Sequence, residues 1–190
     1  MSAPNWQQWI VQQAEVLNHI ASNLLPVQRL ITGAAYLIGL AFAFKAIVSL
    51  KSYGESRSAM SSGNANLKEP LMYILVAAIF IYLPTGVAIM LQTTFGTSSL
   101  MQYASVNSQI SGINILFGSG SVVGRPLTII IQTIGVIAFV RGWILIARTA
   151  SQGQPPGGTG KGLMHVVGGI LAMNIVATLE IINNTIYGTS

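Results

Sequence analysis

The stretch LITGAAYLIGLAFAFKAIVSL, residues 30–50, decides the fold. It is twenty-one residues long and its one charge is Lys45. At about 1.5 Å per residue, a helix of that length crosses a hydrocarbon core of about 30 Å. A polar, basic loop follows, and then PLMYILVAAIFIYLPTGVAIML, residues 70–91, with no charge at all. The two runs read as membrane helices joined by a short basic loop, a hairpin. Pro70 suits a helix start, and Pro84 is expected to kink or loosen the second helix.

The hairpin recurs. At a displacement of 96 positions Gly39 meets Gly135, Lys45 meets Arg141 and Ile47 meets Trp143. At 92 positions Leu71-Met72 meets Leu163-Met164, and TTFGTS at 93–98 meets TIYGTS at 185–190. The four-residue change of displacement falls inside the loop, where an insertion costs little. Self-similarity of this kind is sought before a fold is assigned. Here it divides the chain into residues 1–96 and 97–190. Each unit is an arm followed by a hairpin, with spans over 30–50 and 70–91 in the first and over 126–146 and 163–182 in the second. The expected fold is therefore an all-α membrane protein of four transmembrane helices, built as two parallel tandem hairpin repeats, each preceded by an amphipathic interfacial helix.

Composition agrees. Charged residues make up 7% of the chain and hydrophobic ones 52%, where a globular protein carries roughly 25% charge. Nine Lys/Arg stand against four Glu and no Asp, with a pI near 9.8. The cations are scattered along the borders of apolar runs, which suits anionic headgroups and topology better than a phosphate track. Direct sequence-specific nucleic-acid binding is not expected. Without cysteine there is no disulfide or thiolate metal site, and His19 and His165 lie far apart with no Asp to join them. No metal or organic cofactor is expected; bound phospholipid is the one ligand this composition invites.

Residues 1–29 form the first arm. Trp6, Ile10, Leu17, Ile20 and Leu24 fall close to helical spacing, with Trp9 and Val16 beside them. That stripe fits a helix lying in the membrane interface, and equally a helix packed on a partner protein. Pro26 is expected to end or bend the arm before the first span. The second arm, between residues 92 and 125, carries Tyr103, Val106, Ile110, Ile113 and Phe117 at helical spacing. Residues 1–23 lack a basic start and a continuous apolar core, so no cleavable leader is read there.

Lys45 lies five residues from the end of its span, within snorkelling reach of the interface, and Arg141 is expected at the same depth. Both read as contacts to lipid phosphate or to a neighbouring subunit, as does Arg148 at the border of the third span. In the fourth span Gly168, Gly169 and Ala172 offer a small-residue face. Asn174, mid-span, is expected to hydrogen-bond a neighbouring helix. Glu180 reads as an interfacial charge or as a partner for a basic residue of another subunit. Lys51, Arg57, Lys68, Arg148 and Lys161 all flank the hairpin loops. The positive-inside rule therefore puts both loops in the cytoplasm and both termini outside. Parallel repeats disfavour the inverted-repeat transporters.

No catalytic constellation is present, and an enzyme is not expected. The string GTGKG at 158–162 is no phosphate-binding loop. Pro155 stands where the first glycine belongs, Gly162 where Ser or Thr is required, and no strand precedes it.

Three stretches carry a family resemblance: LIGLAFAFKAIVSLKSYGE (37–55), KEPLMYILVAAIFIYLPTG (68–86) and GKGLMHVVGGILAMNIVATLEIINNTIYG (160–188). With their short basic loops and Gly-rich helices they look like the pilin-type hairpins of conjugative type IV secretion. In doubled form the chain resembles the IcmC/DotE family of small membrane proteins of type IVB (Dot/Icm-like) secretion systems. The resemblance implies a multi-pass subunit of the bacterial inner membrane, structural or channel-like, that supports effector translocation and virulence. It also implies other membrane subunits as partners, in a homo- or hetero-oligomer. The alternatives are a small ion or solute transporter, with Lys45, Arg141, Asn174 and Glu180 along a polar route, and a holin-like pore former.

Overall fold

The computed structural model describes residues 5–58, 67–100, 103–149 and 158–188, without the side chains of residues 5–11 and 58. Every regular element among them is a helix: α1 (Asn5–Ser58), α2 (Lys68–Ile81), α3 (Leu83–Phe95), α4 (Ser111–Phe117), α5 (Gly124–Thr149), α6 (Gly158–Met173) and α7 (Ile175–Tyr187). Two of them, in α1 and α5, are long and apolar enough to cross a membrane. The number rises to four if each bent pair, α2 with α3 and α6 with α7, is one span.

The first arm and the first span are one helix. α1 runs for 54 residues and continues through Pro26, which was expected to end or bend the arm; it does not end it. A proline inside a helix removes one N–H bond and crowds the carbonyl four residues back. Here packing on both sides of Pro26 holds the helix. Ala14 and Ala21 are buried before it and Ala35 and Ala46 after it. Between them Gln28 Nε2 donates to Thr133 Oγ1 of α5 at 2.8 Å. Ala14, Ala21, Gln28 and Ala35 recur every seven residues, the spacing of a seam between two helices. The arm's apolar stripe faces elsewhere: Leu17 is half-buried, and Val16 and Ile20 are exposed. Trp6, Trp9 and Ile10 belong to α1, but their side chains lie outside the described residues.

The second arm is not an amphipathic helix. From Tyr103 to Ile110 the backbone is irregular, and only the seven residues of α4 are helical. The segment closes on itself, with Val106 N–H donating to the Phe117 carbonyl at 2.7 Å. Tyr103 Oη donates to the Phe117 and Gly118 carbonyls at 3.3 and 3.1 Å. Val106 and Phe117 bury against Val176 of α7, with Tyr103, Ile113, Leu127 and Ile131 around them. The apolar spacing marks a small core over α5 and α7, and Ile110 sits half-buried at its edge. Serine, glycine and asparagine between those apolar residues favour turns over helix.

Both return helices are broken. α2 and α3 meet at 92°, and so do α6 and α7. At Tyr82 the cause is Pro84, in the first turn of α3, whose ring excludes a carbonyl–amide bond to Phe80. At Asn174 no proline is involved. Thr178 Oγ1 instead donates to the Leu171 carbonyl at 2.8 Å and to the Asn174 carbonyl at 3.0 Å, and so satisfies an acceptor that the bend exposes. With 14 and 16 residues, α2 and α6 are about 21 and 24 Å long. Each pair is thus a hairpin leg with a crosswise extension, where a helix kinked or loosened at Pro84 was expected over 70–91 and an uninterrupted one over 163–182.

α2 lies antiparallel on α1, and α6 on α5. The contacts are close. A Cβ at Gly39 would stand 2.9 Å from Phe80 Cβ and 3.0 Å from the Ile81 nitrogen, and one at Gly135 would stand 2.7 Å from the Met173 nitrogen. The main core gathers around Phe80, Tyr73, Phe139, Val166 and Met173 where the two hairpins meet.

Candidate functional site

Three polar features lie among the apolar helices, and they do not converge on one centre. The first is built on Lys45. Its Nζ sits 4.5 Å from the centroid of the Tyr73 ring, within the range where an ammonium is attracted to a π face. Tyr73 is fully buried and its hydroxyl donates to Glu69 Oε1 at 3.1 Å. Phe42 stacks on the same ring at 5.8 Å. Neither Tyr73 nor Glu69 stood out in the sequence. Their i, i+4 spacing on a helix was the signal available.

The second feature is a groove of about 440 Å³ between α1 and α5. Ile31, Ala34, Ile38, Ile137 and Val140 are among its walls, and Arg141 and Arg148 line it as well. Arg141 is exposed, and no hydrogen bond or ion pair reaches it among the described residues. α1 and α5 run side by side in the same direction. Residues 15–25 lie against 125–129, Gln28 bonds Thr133, and residues 31–38 lie against 137–148. Residues 105 apart are level at that bond. The expected pairing at 96 would set Lys45 and Arg141 at one depth. The observed register instead displaces one hairpin along the other by about nine residues, roughly 13 Å. Nearer the other end of this seam lies a more polar cavity of about 600 Å³, lined by Gln28, Tyr103, Arg125, Thr128 and Gln132 among others.

The third feature is the break between α6 and α7. Asn174 is fully buried, and among the described residues neither its Oδ1 nor its Nδ2 has a hydrogen-bond partner. The expected bond to a neighbouring helix is absent. Glu180, on α7, is half-buried, and no ion pair reaches it among the described residues. At the loop end of α6, His165 Nδ1 donates to the Lys161 carbonyl at 2.8 Å.

Among the described residues no three His, Cys, Asp or Glu side chains come together as metal ligands. The pieces offer a cation on an aromatic face, a guanidinium beside an apolar groove, and an amide at a helix break. These chemistries hold charge, lipid or water. No family model, curated protein or solved structure matches the chain.

Proposed function

We propose that this chain is a non-enzymatic, multi-pass subunit of an envelope-spanning protein secretion machine of the type IVB class in the bacterial inner membrane. The observation that carries the reading is the reach of α1. Fifty-four helical residues extend about 81 Å. Even tilted by about 40° the helix would cover about 62 Å along the membrane normal, beyond the roughly 40–45 Å of a bilayer with its headgroups. Its most apolar window is only 17% buried within the chain. A helix that leaves the bilayer with Val16 and Ile20 still exposed favours a protein partner beyond the membrane.

The same reading takes the chain as two tandem hairpin units with four spans, loops cytoplasmic and termini outside. The breaks at Tyr82 and Asn174 support it, lying 92 positions apart, the displacement at which the hairpins' second legs repeat. So do the glycine contacts: Gly39 meets Phe80 and Ile81, and Gly135 meets Ala172 and Met173, the residues 92 positions on. Other membrane subunits and phospholipid are its partners in this reading, and no cofactor is required.

Purification of the tagged chain from native membranes in mild detergent, with mass spectrometry of what accompanies it, tests the proposal. A large particle containing other secretion subunits is expected. Recovery alone or as a small homo-oligomer would overturn it. One observation favours a second reading. A buried, unpartnered amide at a helix break is the kind of group that discontinuous helices present to ions or polar solutes. Flux into liposomes from the purified chain, lost in Asn174→Ala, would establish that reading instead.

A further inference from the structure

We infer that the groove between α1 and α5 binds one anionic phospholipid, with its phosphate on Arg141 and an acyl chain along the apolar walls. The inference rests on the membrane reading above and adds the site and its ligand.

The argument starts from a charge without a counterpart. Lys45 and Arg141 occupy matching positions 96 apart, but their surroundings differ. Lys45 has the Tyr73 face at 4.5 Å, and Tyr73 in turn is bonded to Glu69. The residues 92 positions on from Tyr73 and Glu69 are His165 and Lys161. An aromatic and an acid in the first hairpin are thus replaced by two basic groups in the second. Arg141 has no anion of its own among the described residues, and an unpaired charge within a span is costly.

The groove supplies the rest of the ligand's shape. Its walls are Ile31, Ala34, Ile38, Ile137, Val140 and Ile144, all apolar. Small residues on the α1 side leave the space that a chain of methylenes would fill. Its volume of about 440 Å³ lies within the roughly 300–1,000 Å³ of small-molecule sites. Arg148 lines the same groove two turns nearer the end of α5, about 10 Å further along the axis, and adds positive field where a headgroup would lie. A guanidinium binds phosphate bidentately. A zwitterionic lipid brings its own cation to the same place and gains less.

The test uses the full chain, delipidated in detergent and titrated with phosphatidylglycerol or phosphatidylcholine of identical acyl chains, with retained lipid read by native mass spectrometry. Wild type should retain phosphatidylglycerol in preference. Arg141→Gln should weaken that retention by about tenfold, and Arg141→Lys by less. Ala34→Phe, which fills the groove from an exposed position, should lower retention of both lipids. Inorganic phosphate at millimolar concentration should not displace the lipid. Sizing and helical circular dichroism of each variant must match wild type; Arg141→Met, which keeps an unbranched apolar stem, gives the same readout if Arg141→Gln does not fold. Equal retention of the two lipids, an unaffected Arg141→Gln, or displacement by free phosphate would overturn the site. Loss of a dimer in place of lipid would do so too, by making a second copy the occupant. The membrane reading fails differently, with no phospholipid of either class retained by any form.

Discussion

The two hairpins are closed by different means. In the second, four glycines bring backbone against backbone. A Cβ at Gly135 would stand 2.8 Å from the Gly169 carbonyl oxygen, and one at Gly142 would stand 2.8 Å from that of Gly162. In the first, the matching positions hold Gly39, Ala46, Pro70 and Ala77. Each replacement is small, but each adds carbon at the seam. Aromatic rings fill what remains: Phe42 lies 5.8 Å from Tyr73 and 6.3 Å from Phe80. Without a hydrophobic drive between helices in lipid, association rests on close packing. The second hairpin obtains it from the approach of the backbones themselves. The first obtains it from interlocked rings, which tolerate adjustment. The difference predicts that the α5–α6 pair tolerates added carbon at its seam less well than the α1–α2 pair.

Glycine replacements should separate the two hairpins most strongly. Gly135→Ala or Gly142→Ala places a methyl group under 3 Å from backbone atoms of α6, and a helix cannot retreat from backbone without losing its neighbour. A cost of about 1–3 kcal/mol is expected from such overpacking, seen as a lower melting temperature in detergent, and Gly135→Leu should prevent assembly of the hairpin. Gly39→Ala meets Phe80 Cβ and Ile81 at 2.9–3.1 Å, tight but nearer the lower end of that range. Equal losses in both hairpins would show that the rings of the first are as rigid as the backbone seam of the second.

The breaks give a smaller contrast. Asn174 is buried with both polar atoms unpartnered, whereas Tyr82 is 66% exposed. An unsatisfied buried amide costs about 1–3 kcal/mol. Asn174→Leu, similar in size, should therefore raise the melting temperature by the equivalent of about 1–2 kcal/mol. Tyr82→Leu should stay within about 0.5 kcal/mol of wild type. Destabilisation by Asn174→Leu would mean that the amide is held by a polar partner and that the break is a binding device.

The helical character of the chain and the positions of the apolar runs were legible because they rest on local composition. Span three was read as 126–146 and lies within α5. Of the two outcomes read for Pro26, an end or a bend of the arm, the end does not occur: Pro26 is a strong local signal, while the packing that carries the helix through it is spread over Ala14, Ala21 and Ala35. Their seven-residue spacing was available, but alanine contributes little to an apolar stripe. The second arm failed for the opposite reason. Tyr103, Val106, Ile110, Ile113 and Phe117 have helical spacing, yet they are gathered by hydrogen bonds between distant positions, which no local period encodes. The 92° breaks were half legible. Pro84 announces the first, and nothing in the residues around Asn174 distinguishes the second from an ordinary mid-span amide. At the candidate site, Arg141 and Arg148 were named from the sequence and do meet in one groove. The parallel register that sets α1 beside them depends on Gln28 and Thr133, far apart in sequence, and so was hidden.

The smallest contrast concerns the cations and tests whether the first hairpin neutralises its own charge. Tyr73→Phe keeps the ring under Lys45 and removes only the hydroxyl that donates to Glu69. Tyr73→Leu removes ring and hydroxyl together. If the π face is what steadies Lys45, Tyr73→Phe should cost only the hydrogen bond, about 0.5–1.5 kcal/mol net. Tyr73→Leu should lose that and about 0.5–1 kcal/mol more for the cation–π contact, besides the packing of a large buried ring. Repeating both changes in a Lys45→Met background isolates the ring's share, because packing losses cancel between backgrounds and only the cation's coupling remains. A coupling of about 0.5 kcal/mol or more, read from melting curves at low and high salt, would mean that the first hairpin holds its cation internally while the second leaves Arg141 for an external anion. A coupling near zero would make Lys45 an ordinary snorkelling residue. Arg141 would then differ from it in the groove beside it and not in the charge it lacks.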